Sequence, residues 1–322
     1  MRLALIGYGS VARALARLLK QKRGEHPFVV TGAMTRRGFV MDPAGIPPDP
    51  VFVGASCAAE AFLDECPCEV VVELTTLNPL EGEPAISHIR AAMDRGKHVV
   101  TANKGPVACA YRELRDAAAA RGVQFLHESV VMDGTPVFNL TRHTLPGVNV
   151  LGFAGVLNST SQIVMGAMLR GLPFEEGVAE AQRLGIAEAD PWYDVEGWDS
   201  ACKAAALANV LMDAGVTPGE VDRKGITRLT PEKLAELEAK GKRVALVSRA
   251  HRGRDGVKLR VRAEVLERDD VLAGANGRRS VLVLETDLMG QLGVFSVGSQ
   301  VEQTAYGVYA DLLEVARISG GV

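Results

Sequence analysis

A lysine and a carboxylate with the spacing of a helical pair occur at the end of an acidic segment. This segment, residues 187–203, also holds one proline and two tryptophans, and its acidic residues are Glu188, Asp190, Asp194, Glu196 and Asp199. Asp199 and Lys203 are four positions apart and would share one face of a helix. Residues 204–208 read Ala-Ala-Ala-Leu-Ala, which predicts a largely buried helix, where a lysine is costly unless it is paired or functional. A simple ion pair on a helix surface explains the same spacing, so both interpretations stay open.

A second lysine follows a predicted strand in the N-terminal half. The run Thr101–Pro106 reads Thr-Ala-Asn-Lys-Gly-Pro, and Lys104 lies just beyond the end of the strand. In sheets of parallel strands, ligands bind outside the carboxyl ends of the strands. Lys104 is therefore a candidate for chemistry and, together with Thr75 and Asn103, for contacts with a cofactor. The alternative is a surface lysine at a strand end.

The first residues carry a pattern typical of dinucleotide binding. Gly7-x-Gly9-x-x-Ala12 lies between a short apolar strand and an amphipathic helix. Gly7 permits the tight turn, Gly9 lets the backbone approach a pyrophosphate, and Ala12 allows close packing of helix and strand. Ser10 and Val11 begin the helix, whose N-terminus favours negative charge. An ordinary glycine-rich turn is the alternative.

The end of the second strand bears on which nicotinamide cofactor binds. Domains that bind NAD commonly place an acidic residue there, about 20 residues after the glycines, to hold the ribose hydroxyls. This sequence has Thr35, Arg36 and Arg37 instead. A pair of guanidinium groups suits a 2′-phosphate, so NADP is favoured over NAD. A solvated basic loop is the alternative.

These residues need a scaffold of alternating strands and helices. Apolar strand patterns are predicted at 2–6, 28–34, 51–53, 69–74, 97–101 and 123–127. Because helical patterns separate them, the first half is predicted to be a Rossmann-type α/β domain with a doubly wound parallel sheet, over about residues 1–130.

The second half has a different arrangement of predicted strands and helices. Strand patterns at 148–157, 243–249, 257–267 and 279–287 predict an open or antiparallel sheet, and helical patterns fill 159–214. We expect residues 131–299 to form an α+β domain for substrate binding and dimerisation. The helix at about 300–319 is expected to pack back on the first domain.

The composition argues against several classes of protein. The chain has 322 residues and a net charge of −3, with lysine and arginine spread along its length, so neither nucleic acid nor an anionic membrane is an expected partner. No apolar run reaches the ~18 residues that a membrane span needs. Because the predicted first strand begins at Arg2, no signal peptide is expected. Five scattered cysteines are expected to be reduced thiols in a cytoplasmic protein.

Taken together, these segments resemble those of homoserine dehydrogenases. Three stretches carry the resemblance, in order and at suitable spacing: residues 101–106, 155–158 and 187–203. It runs essentially end to end, with no stretch resembling a regulatory ACT domain or a fused aspartate kinase. It implies NAD(P)-dependent interconversion of L-aspartate 4-semialdehyde and L-homoserine, a step in threonine, methionine and isoleucine biosynthesis.

The resemblance also implies roles for the residues singled out above. Lys203 and Lys104 would transfer a proton and stabilise the substrate oxygen. Asp199 would hold Lys203 in place. Glu188 and Asp194 would bind the ammonium group of a small amino-acid substrate.

A monovalent cation, Na⁺ or K⁺, is a further implication of the resemblance. The matching segment spans residues 127–135. There Glu128 would supply a carboxylate, and Val131, Asp133 and Thr135 would supply backbone carbonyls. The alternative is a carboxylate that accepts hydrogen bonds from backbone amides in a turn.

Two segments depart from the family's pattern. The usual Asn-Gly-Thr-Thr-Asn reads Asn-Ser-Thr-Ser-Gln at 158–162. In the glycine-rich loop before the last helix, at 297–303, only Gly298 is left to approach the nicotinamide. These departures keep two alternatives open: a related oxidoreductase of another small amino or hydroxy acid, and a catalytically silent NADP-binding protein. A homodimer is expected, since pairing across a two-fold axis would cover the sheet edges of the second domain.

Overall fold

The computed structural model describes residues 1–187, 190–298 and 300–320, and it separates into two compact units. The first unit comprises Met1–Asn139 together with Gln300–Val322, and the second comprises Leu140–Ser299. Among the described residues, no helix combines the length and the apolar character that crossing a membrane requires. All five cysteines are free thiols.

The first unit alternates strands and helices as the sequence predicts. Its strands are β1 (Arg2–Ile6), β2 (Val29–Thr35), β3 (Gly38–Met41), β4 (Val70–Glu73), β5 (His98–Thr101) and β6 (Phe125–Leu126). Its helices are α1 (Ser10–Gln21), α2 (Ala59–Glu65), α3 (Ala85–Asp94) and α4 (Lys104–Arg121).

The strands of this unit form one twisted sheet in the order β3-β2-β1-β4-β5-β6. All neighbouring pairs are parallel except β2 and β3, which are antiparallel. Strand β4 is buried throughout, as expected for a strand covered by helices on both faces. The order reverses beside β1, and open α/β sheets bind ligands at this switch point. The predicted Rossmann-type fold is confirmed.

One predicted strand is wrong. The apolar residues at 51–53 form no strand; Val51 and Val53 are 75% and 81% exposed in a loop. The third strand is instead β3, which folds back on β2 through the turn at Arg36 and Arg37. Two valines around an aromatic residue resemble a strand in sequence, but the backbone hydrogen bonds with β3 are made by the next residue, Gly54, which exchanges a pair with Phe39.

The boundary of the first unit also differs from the predicted one. Residues 131–139 belong with this unit because the buried carboxylate of Glu128 accepts hydrogen bonds from the backbone amides of Val137, Phe138 and Asn139, at 2.6, 2.9 and 2.6 Å. The C-terminal helix of the chain, Val301–Ile318, shares an apolar core with α1.

The second unit is built around another sheet. Its helices are α5 (Phe138–Thr144, which begins in the first unit), α6 (Ser159–Leu169), α7 (Phe174–Arg183), α8 (Trp192–Val195), α9 (Trp198–Met212) and α10 (Pro231–Ala239). Its strands are β7 (Val150–Val156), β8 (Asp222–Arg223), β9 (Lys242–Gly253), β10 (Gly256–Glu267), β11 (Arg279–Thr286) and β12 (Gly290–Val297). The last helix of the chain is α11 (Val301–Ile318).

The strand order in this sheet is β12-β11-β7-β9-β10-β8. Its pairs are antiparallel apart from β8 with β10, which confirms the predicted open, antiparallel sheet. Strand β12 was not predicted. Its two glycines and the adjacent apolar residues Val294 and Phe295 interrupt the alternation of a half-buried strand, and Phe295 is 71% exposed.

Candidate active site

The glycine-rich turn has the geometry that dinucleotide binding requires. Gly7 has φ of +93°, and a Cβ there would lie 2.5 Å from the carbonyl oxygen of Leu74. At Gly9, by contrast, a Cβ would meet no atom within 4 Å. The backbone is therefore tightly packed at Gly7, whereas the space beside Gly9 is open for a pyrophosphate to approach.

Helix α1 begins directly after this turn, with Gly9 as its N-cap. Gly9 has no side chain that could cap the first amides, and the first turn holds no acidic residue. Ser10 is exposed, Val11 is half-buried and Ala12 is fully buried. Because the amides of the first turn lack helical partners, this N-terminus fits the phosphates of a nicotinamide dinucleotide.

A buried carboxylate organises the ends of β4 and β5. Glu73 is fully buried and accepts hydrogen bonds from the backbone and the hydroxyl of Thr75 and from the hydroxyl of Thr101. Asn103 donates its side-chain amide to the carbonyl of Thr75 at 3.2 Å, and its Oδ1 caps α4 by accepting from the amide of Gly105 at 3.1 Å. Thr75 and Asn103 are thus held together at the switch point.

The two arginines after β2 are exposed in the turn that joins β2 to β3. Within the described residues neither Arg36 nor Arg37 has a carboxylate at ion-pair distance. Their charges therefore remain available to an anion beside the end of β2.

Lys203 lies on α9 as the sequence predicts. Residues 204–208 are fully buried, and the Lys203 side chain is 17% exposed. Its Nζ lies 3.1 Å from Oδ2 of Asp199 and donates to the carbonyl oxygen of Leu157 at 2.7 Å. A lysine ammonium carries three N–H donors, and over the described part of the chain the third has no partner. This donor is the one that could reach a substrate oxygen.

Asn158 joins two of the predicted carboxylates. Its Nδ2 donates to Oδ1 of Asp194 at 2.7 Å and to Oδ2 of Asp199 at 3.0 Å. Thr160 donates its hydroxyl to Oδ2 of Asp194 at 2.9 Å. Asp194, Asp199 and Lys203 therefore form one half-buried cluster in which two carboxylates face one ammonium. We call it the lysine–aspartate cluster.

Burial raises the pKa of Asp194, and the negative charge of nearby Asp199 raises it further. Hydrogen bonds from Asn158 and Thr160 and the charge of Lys203 act in the opposite direction, but burial dominates. A carboxylate that is costly to ionise gains more than an exposed one when a cationic group binds beside it.

Comparison with known proteins identifies the family. The family model described as homoserine dehydrogenase matches residues 136–313, and the model of its NAD-binding domain matches residues 7–128. The NAD(+)-dependent homoserine dehydrogenase of Pseudomonas canavaninivorans is 36% identical, over 98% of this chain and 96% of the relative. The homoserine dehydrogenase of Methanocaldococcus jannaschii is 33% identical, over 98% of both.

The chain belongs to the homoserine dehydrogenase family. A solved homoserine dehydrogenase from Thiobacillus denitrificans superposes with a TM-score of 0.87, at 29% identity, over 99% of this chain and 74% of the other. The predicted resemblance and the predicted class of NAD(P)-dependent oxidoreductase are thereby confirmed.

For three residues expected from the resemblance to homoserine dehydrogenases, the structure gives only a position or nothing at all, and a position alone does not indicate a role. Glu188 lies outside the described residues. Lys104 is the first residue of α4 and is half-buried. Gly298 follows β12 in the second unit with φ of +78°, and a Cβ at this position would meet no atom within 4 Å.

In the segment expected to bind a monovalent cation, Glu128, Asp133 and Thr135 already accept hydrogen bonds from other groups of the protein. Both carboxylate oxygens of Glu128 accept backbone amides, and Oδ1 of Asp133 accepts from the hydroxyl of Thr304 at 3.1 Å. The carbonyl of Thr135 accepts from the amide of Val137 at 2.8 Å, and Val131 is buried. Within the described chain, no cluster of three or more His, Cys, Asp or Glu side chains is arranged for a metal. The geometry fits the alternative, a carboxylate held in a turn by backbone amides.

The candidate residues did not include Asn158, Thr160 or Glu73. Asn158 precedes α6 and caps it through its side chain, and asparagine before a helical pattern is the usual sign of such a cap. That pattern does not reveal the bonds to Asp194 and Asp199. Glu73 ends a buried strand. An acidic residue is unusual at such a position, so the sequence did contain a signal for it.

Proposed function

We propose that this chain catalyses the reversible, NAD(P)-dependent interconversion of L-homoserine and L-aspartate 4-semialdehyde, a step of amino-acid biosynthesis. The observation that carries the proposal is the half-buried ammonium of Lys203, which is held by Asp199 and Leu157 and keeps one donor for a substrate.

The remaining N–H donor of Lys203 suits proton transfer to and from the substrate oxygen. When bound, a nicotinamide cofactor supplies the hydride in reduction or accepts it in oxidation. In reduction, Nζ of Lys203 donates a proton to the aldehyde oxygen as negative charge develops on it. In oxidation, the same nitrogen in its neutral form accepts the hydroxyl proton. Asp199 stabilises the ammonium form and fixes its position, and Lys104 is the second candidate for holding the oxygen.

The amino group of the substrate requires a negative partner. Asp194 lies in the lysine–aspartate cluster and is oriented by Asn158 and Thr160. We assign the substrate ammonium to Asp194, with Glu188 as the second carboxylate that the family resemblance suggests. When its three groups are ionised, the cluster has two negative charges and one positive charge. A bound substrate ammonium would bring its net charge to zero.

Binding of L-homoserine should weaken as the solution becomes acidic. Only ionised Asp194 attracts an ammonium, and its raised pKa means that it takes up a proton at a higher pH than an ordinary aspartate. The KM for homoserine is therefore expected to rise as pH falls through that pKa, in a steady-state pH series. Asp194→Asn should raise KM by roughly 10-fold or more, as expected for loss of a charged hydrogen bond, and abolish this acidic limb.

Glu232→Gln is the matched control, because Glu232 is an exposed carboxylate on α10. It should leave both KM and the acidic limb as in the wild type. An Asp194→Asn enzyme with the wild-type KM at every pH would show that the ammonium binds elsewhere.

For the cofactor we propose NADP, with Gly7, Gly9, Ser10, Val11 and Ala12 at the pyrophosphate. Arg36 and Arg37 support the choice, since both are exposed beside β2 and a 2′-phosphate would pair with them. NAD is the alternative, and the Pseudomonas relative is named for it.

Replacing both Arg36 and Arg37 with serine is expected to weaken NADP binding selectively. Loss of charge-assisted hydrogen bonds should raise the Kd for NADP by roughly 10-fold or more, while the Kd for NAD stays within about twofold. Fluorescence titration of the reduced cofactors measures both. Arg254→Ser, in the exposed turn between β9 and β10, is the control. Equal losses for NADP and NAD would rule out recognition of the 2′-phosphate.

We also propose that the chain forms a homodimer through its second sheet. Strand β12 is outermost in that sheet, and Phe295 and Val297 on it are 71% and 59% exposed. An apolar edge strand of this kind is a usual site of association. Light scattering after gel filtration should give a dimer for the wild type and a monomer for Phe295→Glu. Val53→Glu, at an equally exposed valine of the first unit, should stay dimeric; a dimeric Phe295→Glu would place the interface elsewhere.

Substrate selectivity tests the proposed activity against its nearest alternative. L-Homoserine should be oxidised, whereas 4-hydroxybutanoate, which lacks the ammonium, should have a kcat/KM at least ~100-fold lower because Asp194 is left without a cationic partner. If a different small hydroxy acid were oxidised faster than L-homoserine, the changed segment at 158–162 would define another substrate.

A further inference from the structure

The buried carboxylate of Glu73 has no part in the proposed hydride and proton transfer. It is fully buried at the end of β4, after three buried valines. Its oxygens accept hydrogen bonds from the backbone amide of Thr75 at 2.9 Å, from the hydroxyl of Thr75, and from the hydroxyl of Thr101 at 3.0 Å. The Thr101 hydroxyl itself accepts from the amide of Asn103 at 3.0 Å, so its proton is free to point at Glu73. A carboxyl group that only accepts hydrogen bonds is in its ionised form.

The negative charge of Glu73 has no permanent positive partner. Over the residues that the structure describes, no lysine or arginine lies at ion-pair distance from it. The basic group that does is His88 on α3, whose Nδ1 lies 3.9 Å from Oε1 of Glu73. This imidazole is positive only when it is protonated. Burying a charge without a permanent partner is costly.

An uncharged side chain would hold the same two loops. In Glu73→Gln, the amide oxygen would accept both bonds from Thr75, and the amide nitrogen would donate to the hydroxyl of Thr101. That hydroxyl would then donate to the backbone carbonyl of residue 73, from which it lies 3.1 Å away. Because the hydrogen bonds do not require a charge, holding these loops does not explain why a carboxylate is buried here.

The position of Glu73 in the sheet indicates the group on which its charge acts. Glu73 is in register with Ile6 of β1 and with Thr101 of β5, beside the point where the strand order reverses. A dinucleotide crosses the sheet at this point, with one nucleotide over each half. Arg36 and Arg37 follow β2 and suit the adenosine half, which leaves the ends of β4 and β5 to the nicotinamide half. The oxidised nicotinamide ring is a cation, whereas the reduced ring is neutral.

We propose that Glu73 makes the cofactor site prefer the oxidised nicotinamide, through the electric field of its buried negative charge. The inference rests on the proposed cofactor of this chain and not on its proposed substrate. Because Glu73 is fully buried, it acts on the ring without touching it. Where water is excluded, a carboxylate attracts a cation over several ångströms, and it has no comparable effect on a neutral ring. Glu73 is thus a specificity-determining residue for the redox state of the cofactor.

Paired titrations of the wild type and Glu73→Gln test the proposal. Fluorescence titration gives the Kd for NADPH, and displacement of NADPH gives the Kd for oxidised NADP. The variant is expected to bind oxidised NADP roughly 3–10-fold more weakly, while its Kd for NADPH stays within about twofold. Glu60→Gln, at an exposed carboxylate on α2, should leave both values unchanged. A folded Glu73→Gln protein with the wild-type ratio of the two Kd values would overturn the proposal.

Thr101→Val separates the charge of Glu73 from its effect on the loops. This change removes one hydrogen bond to the carboxylate and leaves the charge in place. Any loss of affinity should therefore be equal for oxidised NADP and NADPH. A selective loss of oxidised NADP in Thr101→Val, as large as in Glu73→Gln, would assign the preference to loop geometry and contradict the proposal.

His88→Lys gives a second test if Glu73→Gln does not fold, which circular dichroism melting would show. It leaves the hydrogen bonds of Glu73 in place and adds a permanent positive charge beside the carboxylate. Oxidised NADP should again bind at least ~3-fold more weakly, with the Kd for NADPH nearly unchanged; an unchanged ratio would contradict the proposal. Since no titration contains L-homoserine, a chain that shows the preference but does not oxidise homoserine would refute the proposed substrate alone.

Discussion

Replacing Lys203 with methionine is expected to lower kcat for L-homoserine oxidation by at least ~100-fold, the usual minimum contribution of a positioned proton-transfer group. Methionine keeps the length and much of the volume of the side chain on the buried face of α9, but it cannot donate to a substrate oxygen. The Kd for NADP should stay within about twofold, because the proposed dinucleotide contacts are those of Gly7, Gly9 and α1. Stopped-flow absorbance at the nicotinamide band and a cofactor titration measure the two quantities.

Loss of Lys203 leaves Asp199, which is 14% exposed, without its ammonium, and the destabilisation should stay below the ~3–5 kcal/mol of a fully buried pair. The double variant Lys203→Met with Asp199→Asn removes that charge and keeps the catalytic prediction testable in a folded protein. Lys233→Met is the control, since Lys233 pairs with Glu236 on the exposed face of α10. A folded Lys203→Met enzyme that kept more than a tenth of the wild-type kcat would exclude this lysine from proton transfer.

Replacing Gly9 with alanine is expected to abolish most cofactor binding while the protein stays folded. Gly9 has φ of −90°, and an added Cβ meets no atom within 4 Å, so alanine fits the backbone. The cost of alanine at a helix N-cap is about 1 kcal/mol, which lowers the Tm by roughly 2–4 °C. The methyl group, however, would occupy the space through which a pyrophosphate must approach, so the Kd for NADP should rise by at least ~10-fold.

Gly7→Ala gives the opposite behaviour and serves as the comparison. Its Cβ would lie 2.5 Å from the carbonyl oxygen of Leu74, at φ of +93°, so the expected result is a large fall in Tm. Gly219→Ala, at an exposed position with nothing closer than 4.0 Å, should change neither quantity. Unaltered NADP binding in Gly9→Ala would place the pyrophosphate away from this turn.

Local patterns predicted the scaffold of the first unit and the position of Lys203. The apolar run at 204–208 identified α9 as buried, and the four-residue spacing placed Lys203 beside Asp199. Both inferences depend only on neighbours along the chain, where helix geometry is regular.

Local sequence patterns do not predict contacts between residues that are far apart along the chain. Asn158 reaches Asp194 and Asp199 from 36 and 41 positions away, and no periodicity encodes such a bond. Glu128 was left open between a cation ligand and a turn carboxylate, because the choice depends on whether the amides of 137–139 fold back onto it. Strand β12 was missed because an edge strand with exposed apolar residues lacks the alternation of a covered one.

The most direct test of the proposed function is the stoichiometry of the wild-type reaction. L-Homoserine and NADP are incubated with the protein, reduced cofactor is followed at the nicotinamide band, and the aldehyde is trapped as its hydrazone and quantified. The proposal predicts one L-aspartate 4-semialdehyde for each reduced nicotinamide formed. Cofactor binding without formation of reduced nicotinamide or aldehyde, with NADP and with NAD alike, would contradict it.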